Sequence, residues 1–233
     1  LAGLLILSFY TVVAGWALYF LIESLKGSFV DASASDIEGL FSGLLASPMQ
    51  LMVWHTLFAL ATIWIVSRGV KSGIEKAINF LMPGLLFILL ILMGYATTTG
   101  HFGHSFEFLF NPDFSKLTWE AVLVAMGHAF FTLSIGMGVM MVYASYLSQE
   151  HSIVKAGLWI AFADTAIALM AGLVIFTIVF AHGLEPGAGP GLLFQTLPIA
   201  FGDMSGGWVF GSLFFALVVM AALSSAISLI EPA

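Results

Sequence analysis

Six long apolar stretches divide this chain and limit the folds that it can adopt more than any other feature. Each is long enough to cross the hydrocarbon core of a bilayer, which is about 30 Å thick. Because lipid offers the backbone no hydrogen-bond partners, each stretch is expected to be helical. Barrel strands would be about ten residues long, with alternating polarity, and these stretches are longer and more uniform. The sequence predicts an all-α multi-pass membrane protein with transmembrane spans at about 4–22, 49–67, 77–97, 117–147, 153–181 and 207–230.

The composition agrees with a membrane protein and excludes other classes. Hydrophobic residues make up 61% of the chain and charged residues 8%, whereas about a quarter of a soluble domain is charged. No basic stripe is present that could bind nucleic acid. The absence of cysteine excludes disulfides and thiolate metal sites. No nucleophile–base pair is visible, so we do not expect an enzyme.

The chain starts inside one apolar stretch and stops just after another, and we expect it to be part of a longer protein.

Basic residues between the spans predict the orientation of the helices. Arg68, Lys71 and Lys76 crowd the link after the second span, and Lys155 lies in the link after the fourth, on the same side. The opposite side is dominated by acidic residues. Since cytoplasmic links carry an excess of Lys and Arg, the link 68–76 is predicted to be cytoplasmic. The first span therefore runs outwards.

The link 183–206 is unusually long for a helical bundle. It contains Gly187 and Gly189, followed by an apolar stretch, 192–201, that Pro198 interrupts. An apolar stretch too short to span suggests a re-entrant, lid-like hairpin at about 187–203. A loop lying on the surface is the alternative.

The fourth apolar stretch is too long for one simple span. A straight helix over 117–147 would reach roughly 45 Å. Its middle contains Thr132, Ser134, Gly136 and Gly138. Glycine lowers the cost of leaving helical geometry, and freed carbonyls and hydroxyls can then face an ion. The pattern therefore fits a helix broken near 131–138, although a long tilted helix with glycines for close packing would also fit.

Asp164 is an acidic residue deep within the fifth apolar stretch. A carboxylate there is costly, so such residues usually face a cavity or a partner. A structural acid, protonated or paired with His128, is the alternative. Ser224, Ser225 and Tyr10 are weaker signals, because hydroxyls in membrane helices commonly bond to nearby backbone.

Four groups of residues occur in an order and spacing that match a known family. They are Gly73 with Pro83, the run 111–146 with its Phe-Phe-Thr-Leu-Ser and Gly-Met-Gly motifs, Gly189–Leu192 followed by Leu197–Pro198, and 214–225. These resemble, in turn, the start of the fifth helix, the sixth helix, the outer lid hairpin and the eighth helix of the neurotransmitter:sodium symporters. On this resemblance the chain covers the third to eighth helices, without the first, the second or those after the eighth.

The resemblance implies a broken-helix bundle built from inverted repeats, with substrate and sodium held near the midplane. It implies a sodium-coupled symporter that imports an amino acid across the inner (plasma) membrane of a bacterium. The implied partners are the amino acid, sodium and the lipid bilayer. No cofactor is expected, and sodium ions act as the coupling ions.

The resemblance also implies roles for residues around the substrate. Tyr10 would donate its hydroxyl to the substrate carboxylate. Phe131 would close over the substrate, and Ser134 would line the unwound segment beside it. The pocket for the substrate side chain would be shaped by Ile6, Met137, Ser225 and Leu229. Because methionine adapts to varied shapes and two of these residues are aliphatic, we expect an apolar or aromatic amino acid.

Two sodium sites follow from the same resemblance. Thr132 and Asp164 would coordinate the first ion. The Ala221 carbonyl and the hydroxyls of Ser224 and Ser225 would coordinate the second. Oxygen ligands of this kind suit a hard cation.

The chain departs from chloride-dependent members of the family at two positions. Those members have Asn at the position of Asp164 and Gln at that of His128, and the acid that some bacterial members carry one turn later is Ala168 here. Asp164 would therefore supply the negative charge that chloride supplies elsewhere. After sodium leaves, the solitary carboxylate would favour its neutral form. We expect Asp164, assisted by His128, to carry a proton outwards in the empty state.

Two other functions fit the sequence. One is a membrane receptor or sensor built on a transporter-like fold. The other is a sodium symporter from a different family that shares the broken-helix fold.

Overall fold

Long apolar helices make up more than half of the described chain. The computed structural model describes residues 2–69, 73–146, 152–185 and 189–231. Within them, five helices are long and apolar enough to cross a membrane. The prediction of an all-α multi-pass membrane protein is confirmed, and the described residues contain no strand. The five helices are α1 (Ala2–Lys26), α3 (Pro48–Val66), α4 (Glu75–Thr98), α8 (Ile153–Ala181) and α10 (Gly207–Ile230).

The fourth predicted span forms two shorter helices, and the other five predicted spans each contain one continuous helix. Helix α6 covers Trp119–Thr132 and α7 covers Val139–Ser145. Between them the backbone is left-handed at Ser134 (φ 54°), Gly136 (φ 83°) and Gly138 (φ 86°). Glycine adopts such values without a steric penalty, which explains why the helix breaks here instead of continuing as one tilted rod. Leu147, the predicted end of this span, lies outside the described residues, as does Lys71 of the basic link.

Several links contain short helices that the apolar pattern did not predict. Helix α2 (Ala34–Ala46) begins with a capping box in which the Ser33 and Asp36 side chains each accept from the other's backbone N–H. Such a box satisfies two amides that the first helical turn leaves without partners. The remaining elements are α5 (Phe102–Phe110), a 3-10 turn at Phe114–Lys116, a π turn at Leu192–Thr196 and α9 (Leu197–Asp203).

The link between α8 and α10 folds inwards rather than lying on the surface. Phe194, Leu197 and Phe201 are all at most 1% exposed. Phe194 stacks on Phe41 of α2, with ring centroids 5.6 Å apart, and its ring also lies 5.2 Å from that of Phe20. These aromatic contacts form the main core, at the end of the bundle that is predicted to be extracellular. Gly187, the predicted start of the lid hairpin, is outside the described residues.

Helix α10 is the centre of the bundle. It packs against α1, α3, α4 and α9. Helix α1 also packs on α3, where Gly15 leaves no room for a side chain, because a Cβ would lie 2.9 Å from the His55 backbone nitrogen. Helix α6, in contrast, has no buried residue. The first half of the broken helix therefore lies at the edge of the described bundle, where Thr132 bonds to Asp164 of α8.

Candidate functional site

A cavity of about 450 Å³ lies between the break in the fourth span and helices α1, α8 and α10. The structure brings the predicted site residues together there, although they come from four separate parts of the chain. All of them except Ala221 line the cavity: Ile6, Tyr10, His128, Phe131, Thr132, Ser134, Met137, Asp164, Ser224, Ser225 and Leu229.

The break between α6 and α7 forms one wall of this cavity. The left-handed residues Ser134 and Gly136 take the backbone out of helical geometry. In a membrane protein, irregular backbone of this kind is tolerated where it lines a cavity, because carbonyls and amides can then meet polar ligands instead of lipid. The Phe131 side chain, which lines the cavity just before the break, is 51% exposed in the described chain.

Thr132 and Asp164 form the most polar corner of the cavity. The Thr132 hydroxyl donates a hydrogen bond to Oδ1 of Asp164 across 3.0 Å. His128 also lines the cavity, one turn before Thr132 on α6, but no hydrogen bond or ion pair joins it to Asp164 in the part of the chain that the structure describes. The Asp164 carboxylate and the Thr132 oxygen together offer hard oxygen donors of the type that bind alkali and alkaline-earth cations.

A second group of oxygens lies along one face of α10. The Ser224 hydroxyl donates to the Ala221 carbonyl at 2.9 Å, and the Ser228 hydroxyl donates to the Ser224 carbonyl at 3.1 Å. These are ordinary bonds of serine to the preceding helical turn. They leave the hydroxyl lone pairs available to a cation, since each hydroxyl acts here as the donor. Ser224 is 6% exposed, and Ser225 beside it is open to the described surface.

Tyr10 stands where α1 meets α10. Tyr10 and Ser225 interact through their hydroxyl groups. This places a phenolic donor beside the serines of α10 and opposite the broken helix. A carboxylate bound in the cavity could accept from the Tyr10 hydroxyl while its charge lies near a cation held by the neighbouring oxygens.

Sequence reasoning missed one polar pair at this site. The Tyr143 and Ser228 hydroxyls are hydrogen bonded at 3.0 Å and join α7 to α10. Ser228 follows Ser224 by four residues and therefore lies on the same helical face, a spacing that could have indicated it. Tyr143 carried no comparable signal, because its partner is 85 residues away. The missed residues that line the cavity are otherwise apolar: Ile78, Met82, Leu133, Val139, Met140 and Ile160.

The comparison with known proteins assigns the family. The model of the sodium:neurotransmitter symporter family matches residues 40–233. The chain belongs to this family. The resemblance predicted from the motifs is therefore confirmed, and the family and its matched members are transporters rather than enzymes.

Individual members of the sodium:neurotransmitter symporter family match nearly the whole chain. The sodium-dependent transporter YhdH of Bacillus subtilis is 36% identical over 99% of this chain and 51% of its own length. Sodium-dependent nutrient amino acid transporter 1 of Drosophila willistoni is 29% identical over 76% of this chain and 30% of its own length. The crystal structure of MhsT in complex with L-phenylalanine matches with a TM-score of 0.84 at 45% identity, over 99% of this chain and 52% of that chain. The present chain thus spans about half the length of YhdH and MhsT.

Proposed function

We propose that the protein containing this chain is a sodium-coupled symporter that imports an apolar or aromatic amino acid across the cytoplasmic membrane of a bacterium. The observation that carries this proposal is the hydrogen bond between Thr132 and Asp164 on the wall of the 450 Å³ cavity, called the substrate cavity below. It joins the broken helix to α8 at the position where the family resemblance implies a sodium ligand set.

The first sodium ion would lie between Thr132 and Asp164. Binding would replace the 3.0 Å hydrogen bond with two bonds from oxygen to sodium, so the existing separation already sets the two oxygens close enough to share an ion. The second ion would lie at α10, between the Ala221 carbonyl and the hydroxyls of Ser224 and Ser225. Sodium drives import if it binds the substrate-loaded state better than the alternatives.

The substrate would place its carboxylate at Tyr10 and its side chain among Ile6, Met137, Leu229 and the other apolar residues that line the cavity. These apolar walls favour an apolar or aromatic side chain, because a charged side chain placed against them would lose its hydration. The likeness to MhsT, whose structure is a complex with L-phenylalanine, supports the same substrate class.

Asp164 would also replace the anion that chloride-dependent members require. A cation in a cavity of low dielectric constant needs a negative charge nearby, and this side chain provides it without chloride. When sodium and substrate have left, the carboxylate would take up a proton, with His128 as the nearby group that relays it. Import of sodium and amino acid would then be accompanied by export of a proton.

Uptake by the full-length protein in proteoliposomes tests the proposal. A sodium gradient should drive accumulation of labelled phenylalanine or leucine, and unlabelled apolar amino acids should compete. Preference for lysine, glutamate or an amine without a carboxylate would contradict the substrate class. Sodium-dependent binding without any uptake would instead favour a receptor built on this fold.

A further inference from the structure

A second cavity of about 330 Å³ lies at the opposite side of α4 from the substrate cavity. It is a groove between the end of α3 and the beginning of α4, and Leu223 of α10 lines it as well. Helices α3 and α4 each pack against α10 but make few contacts with each other. The groove therefore exists because two spans diverge from a shared neighbour.

The walls of this groove are apolar and its mouth is basic. Trp64 and Phe80 line it and are 58% and 75% exposed. Arg68 and Lys76 also line it, and the Arg68 guanidinium carbon lies 3.8 Å from the centre of the Trp64 ring. Among the described residues that line the groove there is no acidic side chain. Glu75, adjacent to Lys76 in sequence, is not one of them.

The position of the two cations determines what can occupy the groove. Arg68 and Lys76 belong to the link that is predicted to be cytoplasmic, where the membrane surface is anionic and basic pockets between spans bind lipid headgroups. A soluble phosphate would gain only from the two charges. A phospholipid would gain from the charges and would also cover the exposed Trp64 and Phe80 with its acyl chain.

We propose that this groove binds an anionic phospholipid of the cytoplasmic leaflet. The headgroup phosphate lies between Arg68 and Lys76, and one acyl chain follows the groove past Phe80 towards Leu223. This site is separate from the substrate cavity, and it does not depend on the proposed transport function. It does place a lipid against the helix that carries Ser224 and Ser225.

Native mass spectrometry of the full-length protein in neutral detergent tests the proposal. Phosphatidylglycerol and phosphatidylcholine with identical acyl chains are added separately. We expect tighter binding of phosphatidylglycerol and a loss of roughly twentyfold in its affinity when Arg68→Gln and Lys76→Gln are combined. The matched control is Lys26→Gln with Lys116→Gln, which removes the same charge from the predicted outer side and should leave affinity unchanged.

A second variant tests the groove itself. Ala77 lines the groove and is half-buried, so Ala77→Trp should fill it and displace the lipid while Arg68 and Lys76 remain. The proposal is overturned if phosphatidylglycerol binds no better than phosphatidylcholine, if the control pair loses affinity equally, or if Ala77→Trp binds as before. It is also overturned if glycerol 3-phosphate competes as effectively as phosphatidylglycerol, because the site would then recognise a soluble phosphate.

Discussion

The hydroxyl of Thr132 and the carboxylate of Asp164 are 3.0 Å apart although 32 positions separate them in the chain. Thr132 is the last residue of α6, and Asp164 lies within α8. A single hydrogen bond thus connects the point where the broken helix unwinds to a continuous neighbouring span. An ion bound here would contact both helices, so its binding or release would change the contacts of both.

Removing the oxygen ligands should weaken sodium dependence. Thr132→Val and Ser225→Ala keep approximate side-chain size, and each should raise the sodium concentration that gives half-maximal uptake by about tenfold, the effect of roughly 1.4 kcal/mol. Thr165→Val and Ser8→Ala are matched controls, because their hydroxyls bond to the preceding helical turn and line no part of the substrate cavity. Uptake is measured over a range of sodium concentrations for the two ligand variants and the two control variants, and only the ligand variants should need more sodium. Unchanged sodium activation in both ligand variants would contradict the assignment.

Asp164→Asn should change the anion requirement of transport. The variant loses the fixed negative charge, so we expect uptake either to stop or to become stimulated by chloride. The unmodified protein should transport equally well when chloride is replaced by gluconate, and an imposed pH gradient, with the acidic side inside, should accelerate its uptake. Strong chloride dependence of the unmodified protein would contradict charge replacement by Asp164. Insensitivity to internal pH would contradict only the return of a proton.

The buried aromatic cluster should dominate stability at the outer end of the bundle. Phe194 is 1% exposed and contacts Phe20, Phe41 and Phe215. Phe194→Ala should therefore cost about 3–5 kcal/mol of unfolding free energy. The control is Phe114→Ala, because Phe114 is 75% exposed and its replacement should change stability by less than about 0.5 kcal/mol. Thermal unfolding of the purified full-length variants compares the two. Equal midpoints would contradict a packed lid hairpin.

The cap of α2 should depend on pH in the acidic range. The Ser33 side chain and backbone donate to Asp36, and these bonds hold the pKa of that carboxyl below its usual value of 3.8. A lowered folded-state pKa means that the ionised group stabilises the fold above 3.8 and that this contribution is lost as the pH falls through the folded pKa. Asp36→Ala should lower the unfolding midpoint slightly at pH 7 and by less at pH 3, because the contribution begins to be lost as the pH falls below 3.8. Glu38→Ala serves as the control, and an unchanged difference at both pH values would contradict the cap.

The apolar stretches predicted the fold because the length of an apolar stretch can be read directly from the local sequence. The break was predictable for the same reason, since Gly136 and Gly138 mark where a helix can unwind. Helix α2 was not predicted, because its apolar residues Ile37, Phe41 and Leu44 follow a short amphipathic pattern among polar ones.

The site was predictable only in part. The resemblance to a family supplied the roles of Tyr10 and Ser225, whereas the sequence pattern alone pointed to Asp164 and to the hydroxyls of Thr132 and Ser134 at the break. The bond between Tyr143 and Ser228 depends on how α7 packs on α10, and no spacing within one helix encodes that. The groove at Arg68 likewise arises from the divergence of two spans, which the sequence of each span does not express.

The unequal support of the two sides of the cavity has a mechanical consequence. Helix α10 is held by four neighbours, whereas α6 buries no side chain within the described chain. An ion or substrate that bridges the cavity would therefore attach α6 to a helix that four neighbours already hold in place within the described chain.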